Sequence, residues 1–256
     1  MPNPPKNEGM DWKWIIPTVI GAIVLSGGIV WTVHYEISKL DERIAGLDKH
    51  IARVETAVRI VGAKQGGDTK TLIDEALAVA KNASDAGRTQ SAKAVLDIAN
   101  RLLAEQKASL EQAPQEFFDS AMQNYQKLRK SPALADSAWD GTTKLVEYRS
   151  AITSVPSGFN GAAIGEMGQK GGFRYLKNSL ISGQNAIRTP GCQGFDLDGW
   201  YLENVVFQNV TVCYRGGSAV LSNVHFVNCQ FDIVKSPKAD QLIEAVVKQP
   251  ANVALG

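Results

Sequence analysis

Residues 195–233 read FDLDGWYLENVVFQNVTVCYRGGSAVLSNVHFVNCQFDI, and the spacing of their apolar side chains decides how the C-terminal part of the chain is built. Pairs of apolar residues two positions apart recur every five residues: Phe195 and Leu197, Trp200 and Leu202, Val205 and Phe207, Val210 and Val212. After the turn YRGGS the pattern restarts with Ala219 and Leu221, Val224 and Phe226, then Cys229 and Phe231. The same signal is visible as an internal repeat, because LENVVFQN from Leu202 returns as LSNVHFVN from Leu221. A period of five fits neither the 3.6 of a helix nor the two of a simple strand. It fits a stacked coil in which each unit turns one corner.

With Ala219, Val224 and Cys229 at the small inward position and Leu221, Phe226 and Phe231 at the central one, the segment resembles the pentapeptide-repeat proteins and, more loosely, short right-handed β-helices. That resemblance implies a small β-solenoid over 195–235, with Phe195, Leu197, Trp200, Leu202, Val205, Phe207, Val210, Val212, Leu221, Val224, Phe226, Cys229 and Phe231 as its core. Phe195 and Trp200 exceed that family's usual inward residue, and Gly216 and Gly217 break the phase, so an antiparallel β-meander is the alternative. A short stack needs its ends covered. Ser236 and Pro237 have the chemistry of N-cap and N1 of a capping helix over 236–248, followed by a tail at 249–256.

Upstream, 155–194 is punctuated by glycine and proline and reads as a linker of loops and turns. Its stretch GEMGQKGG lacks the order of a phosphate-binding loop. From 68 to 154 the chain reads as a helical bundle. One stripe holds Leu72, Ala76, Leu77 and Ala80, a second Val95, Ile98, Leu102 and Leu103, a third Phe117, Phe118, Met122 and Tyr125, and a fourth Trp139, Leu145, Val146, Tyr148 and Ile152. Breaks are expected at Gly87, Pro114 and Pro132.

After a tail at 1–13, WIIPTVIGAIVLSGGIVWTVHY contains no charged side chain, and about 20 apolar residues suffice for a transmembrane helix, here 14–35. Trp12, Trp14, Trp31 and Tyr35 fall at its two interfaces. Next, Ile37, Leu40, Ile44, Leu47, Ile51, Val54, Val58 and Val61 alternate steps of three and four, the seam of a coiled-coil stalk over 36–65 that predicts a homo-oligomer, dimer or trimer. The sequence-level fold class is therefore α+β: membrane helix, stalk, bundle, small solenoid and capping helix. The side of the membrane on which the soluble part lies, cytoplasmic or extracytoplasmic, stays open, because basic residues flank the span on both sides.

A net charge of +1, from 27 lysines and arginines against 26 aspartates and glutamates, argues against nucleic acid as a main partner. Three cysteines and three histidines show no metal-ligand spacing, so neither a metal nor another cofactor is expected. No catalytic residue is assigned: His34, His50 and His225 have no neighbouring partner in sequence, and Asp196 and Asp198 read as turn residues. Cys213 and Cys229 are placed near each other, with Cys229 as an inward packer. The functional expectation is a single-pass membrane-anchored, self-associating scaffold or sensor, not an enzyme, whose β-module binds an unknown protein. The alternatives are a membrane-perturbing effector and a carbohydrate-active enzyme of the β-helix kind using Asp196, Asp198 and Asp232.

Overall fold

The computed structural model describes residues 69–183 and 191–256, so the expected transmembrane helix and the stalk with its seam lie outside the described residues. Among the described residues four helices come first: α1 (Thr69–Asp85), α2 (Thr89–Ser109), α3 (Gln115–Leu128) and α4 (Ala135–Ile152). They are separated where the breakers stand, with Gly87 at φ +74° and Pro114 as the residue before α3. Phe117, Phe118, Met122 and Tyr125 are buried along α3, as are Leu145, Val146 and Tyr148 along α4. The two buried phenols are satisfied: Tyr125 donates to Asn100 Oδ1 at 2.7 Å and Tyr148 to the Glu111 carbonyl at 2.6 Å.

The remainder forms strands β1 (Glu166–Lys170), β2 (Phe173–Ser182), β3 (Phe195–Asp196), β4 (Trp200–Gln208), β5 (Thr211–Tyr214), β6 (Ala219–Val227) and β7 (Gln230–Ile233), then helix α5 (Pro237–Lys248) and β8 (Ala251–Leu255). They make a five-stranded sheet in the order β1-β2-β4-β6-β8 and a three-stranded sheet β3-β5-β7. In the larger sheet the central strands β2, β4 and β6 run parallel, and β1 and β8 flank them antiparallel. The internal repeat is the pairing register itself, for Leu202 lies beside Leu221, Val205 beside Val224 and Phe207 beside Phe226. A phenylalanine column fills the space between the sheets, with ring centroids 4.8 Å apart for Phe195 and Phe207, 5.3 Å for Phe207 and Phe226, and 5.5 Å for Phe226 and Phe231.

The solenoid is therefore corrected: among the described residues neither sheet is closed and there is no stacked coil, but an open mixed sheet beside a smaller parallel one. The physical reason lies in the asparagines. Two five-residue units share each long strand without a corner between them, and Asn204 and Asn223, at φ +53° and +54°, absorb the extra residue as a local irregularity. Trp200 and Leu202 thus stay on the same buried side as Val205 and Phe207 although the strict alternation is broken. Antiparallel β1 and β8 then flank the three parallel strands.

Two further corrections concern the flanks. The segment read as a loop-rich linker contains β1 and β2, joined by a two-residue hairpin turn with Gly171 and Gly172 both at positive φ. The segment read as a tail supplies β8. The helix over 236–248 starts as its sequence predicts, with the Ser236 hydroxyl accepting from Ala239 N at 3.1 Å and Pro237 in the first turn. Among the described residues no helix is long and apolar enough to cross a membrane.

Bundle and sheets share one hydrophobic core. The open side of β7 is closed by α4, whose Ser150 Oγ accepts from Cys229 N at 2.8 Å and whose Glu147 Oε1 accepts from Phe231 N at 3.4 Å. Ion pairs Arg129–Asp240 and Lys235–Asp136 tie the bundle to the C-terminal region.

Candidate functional site

Three surface features organise charged, polar or unpaired groups. The first is a ladder of side-chain amides. Asn178, Asn204 and Asn223, all at positive φ, sit on adjacent strands of the large sheet. Asn204 Nδ2 donates to Asn178 Oδ1 at 2.6 Å, and Asn223 Nδ2 donates to Asn204 Oδ1 at 3.0 Å. Because Asn223 Nδ2 is committed to Asn204, its Oδ1 faces His225 Nε2 at 3.3 Å, and that ring nitrogen carries the proton. Burial holds the His225 imidazole below its usual range, so the ring is neutral near pH 7. The ladder thus runs in one direction, which strengthens each bond in it.

Opposite the ladder lies a tight turn. Phe159 N donates to the Pro156 carbonyl at 3.1 Å and Gly158 has φ +81°, the arrangement of a type II turn that requires glycine at its third position. The Phe159 ring folds over Gly161, where a Cβ would lie 2.3 Å from Phe159 Cζ, so only glycine lets the ring take this place. Turn, ladder and His225 line a half-open cleft of about 470 Å³.

The second feature is the outer edge of the large sheet. All five residues of β1 are exposed. In a two-residue hairpin the closing pair, here Lys170 and Phe173, is the hydrogen-bonded one, so by alternation the amides of Met167 and Gln169 point away from β2. On one face behind this edge the Tyr175 and Tyr201 rings meet at 5.6 Å, and Lys170 Nζ lies 3.9 Å from the Tyr201 centroid. Glu203 accepts from Tyr175 at 3.1 Å and pairs with Lys177 at 3.1 Å and Lys170 at 3.3 Å. Hydrogen bonding from Lys177 holds the Glu203 carboxyl below the usual carboxylate range.

The third feature gathers the carboxylates that the sequence offered for glycan chemistry. Asp198 accepts from Arg215 N at 3.3 Å and Gly217 N at 3.1 Å, Asp196 Oδ1 accepts from Asp198 N at 3.1 Å, and Asp232 forms a two-point ion pair with the Arg215 guanidinium. That guanidinium pulls the Asp232 carboxyl below its ordinary value. The structure brings Asp196, Asp198 and Asp232 together, but around an arginine and turn amides, which is work of loop fixation.

Beside this cluster a disulfide joins Cys192 to Cys213. Sequence reasoning considered Cys213 only beside Cys229 and did not foresee Cys192 as its partner; Cys229 is the free thiol, buried, with its pKa pushed by desolvation up to about 11. All thirteen residues assigned to the β core from sequence are buried. The seam residues lie outside the described part. Among the described residues no group of three or more histidine, cysteine, aspartate or glutamate side chains is arranged to hold a metal ion.

What sequence reading missed is the amide ladder. Its signal was present: LKN at 176–178, LEN at 202–204 and LSN at 221–223 are three copies of one tripeptide pattern, and their leucines pair across the sheet. The first copy escaped because it is 26 residues from the second, whereas the second is 19 from the third. Comparison of the chain with known protein families, with characterised proteins and with solved structures finds no match.

Proposed function

We propose that the chain is a membrane-anchored, self-associating scaffold or sensor whose sheet region binds an extended segment of another protein along β1, on the extracytoplasmic side. The observation that carries this reading is the bare edge. Outward amides at Met167 and Gln169 offer backbone hydrogen bonds to an added strand. Met167, 55% exposed, continues an apolar row that runs through Leu176, Leu202 and Leu221 across the sheet, so a sixth strand would extend a core that at present ends in solvent. Beside the edge Lys170, Arg174 and Lys177 outnumber Glu166 and Glu203 by one charge, a small bias toward an acidic segment.

Membrane attachment rests on the uncharged stretch at 14–35, and self-association on the apolar seam from Ile37 to Val61. The Cys192–Cys213 disulfide supports an oxidising compartment, hence the outer side, a choice that flanking charge alone left open.

The test is capture of the partner by the full chain and by two variants. Gln169→Pro removes an outward amide and is tolerated at a sheet edge, whereas Gln169→Ala keeps it. A protein retained by wild type and Gln169→Ala but lost with Gln169→Pro supports the reading; equal retention by all three rejects strand addition. For self-association, light scattering of the full chain should show an oligomer that Ile44→Asp with Ile51→Asp dissociates, and a monomeric wild type would refute it.

A further inference from the structure

The polar cleft is separate from the bare edge, and its chemistry is different. We infer that the cleft between the asparagine ladder and the 156–160 turn is a binding site for a neutral saccharide. At about 470 Å³ it falls within the range of roughly 300–1,000 Å³ typical of small-ligand pockets. Its lining among the described residues is the turn, Asn178, Asn204, Asn223 and His225, with no aspartate, glutamate, lysine or arginine. A charged ligand would therefore be desolvated without a counter-charge, and a purely apolar one would strip water from amides without replacing it.

Hydroxyl groups fit this lining. Asn204 spends one donor hydrogen and one acceptor position on its two neighbours, Asn223 one donor on Asn204 and one acceptor on His225, and Asn178 one acceptor on Asn204, so each amide keeps further capacity of both kinds, and a sugar hydroxyl both donates and accepts. Neighbouring strands lie about 4.8 Å apart, so three rungs span roughly 10 Å, about the length of two linked pyranose rings. The half-buried Phe159 ring on the opposite wall supplies the flat apolar surface against which the C–H face of a pyranose stacks. The site is also built in advance: positive φ at all three asparagines and the glycine-dependent turn fix both walls before any ligand arrives.

The experiment titrates the full chain, kept in a detergent without a sugar headgroup, with four neutral tetrasaccharides and one anionic one, tetragalacturonate. The neutral set comprises β-1,4- and α-1,4-linked glucose, N-acetylglucosamine and mannose tetramers. Calorimetry reads affinity, and the His225 ring proton reports location by NMR. At least one neutral tetramer should bind with a Kd below about 10 mM and shift the His225 signal. Phe159→Ala and Asn204→Gly, the latter compatible with positive φ, should each weaken it about tenfold or more with thermal unfolding unchanged. If Asn204→Gly unfolds, Asn160→Ala on the exposed turn takes its place. No binding by any neutral tetramer, binding of tetragalacturonate alone, or affinity indifferent to these substitutions overturns the inference. Gln169→Pro should leave saccharide affinity unchanged, so this inference and strand addition at β1 stand or fall separately.

Discussion

The two outer strands of the large sheet, β1 and β8, both run antiparallel to their neighbours, yet they end the sheet in opposite ways. Along one cross-strand row, Met167 on β1 is 55% exposed, whereas Val253 on β8 is half-buried and packed on the core. The difference comes from what the chain places outside each strand. Helix α5 leads directly into β8 and buries Leu242, Ile243, Val246 and Val247, and Ala251 and Leu255 anchor the strand's two ends in the core. Nothing among the described residues performs that service for β1, whose five residues are all exposed. An outer strand whose apolar side the fold covers is a stability element, and one whose apolar side is left open, with outward amides beside it, is where a partner strand gains most.

The largest expected effect lies on the covered side. Ile243→Ala removes a fully buried side chain and should cost about 2–5 kcal/mol in denaturant unfolding, because the packing of α5 on β8 and the bundle leaves little room to collapse. Cys192→Ser should cost about 3 kcal/mol through the lost constraint on the unfolded chain, read as a lowered denaturation midpoint. Ser236→Ala removes the N-cap of α5 and should cost about 1 kcal/mol. On the bare side, Met167→Thr should change stability by no more than about 0.5 kcal/mol while reducing partner retention. If Met167→Thr destabilised as much as Ile243→Ala, the contrast between the two edges would collapse.

The smallest effect sharpens the same contrast through a buried group. With its pKa raised to about 11 by desolvation, the Cys229 thiol stays protonated at pH 8 and should resist alkylation in the native protein, reacting once denaturant opens the core. Rapid alkylation at pH 8 without denaturant would mean that the α4 contact covering β7 opens freely.

Much of the helical layer was legible because each stripe recurs at helical spacing and each break carries glycine or proline. The N-cap at Ser236 was legible for the same kind of local reason. The nineteen-residue repeat was also visible, and it became a register of parallel strands. What misled was the five-residue period. Read as a corner per unit it implies a closed coil, whereas positive φ at Asn204 and Asn223 lets one strand carry two units. A period counts inward residues without saying whether the chain bends between them.

The sequence by itself determined which side chains are buried, where helices start and stop, and which strands resemble one another enough to pair, since these follow from local spacing and the chemistry of single residues. Only the tertiary structure decided that both sheets stay open, that Cys192 rather than Cys229 bonds to Cys213, that three asparagines from distant segments form one ladder, and that β8 is covered while β1 is bare. Those outcomes depend on which distant segments come to lie side by side, and that is settled by the packing of the whole core rather than by any one stretch of chain.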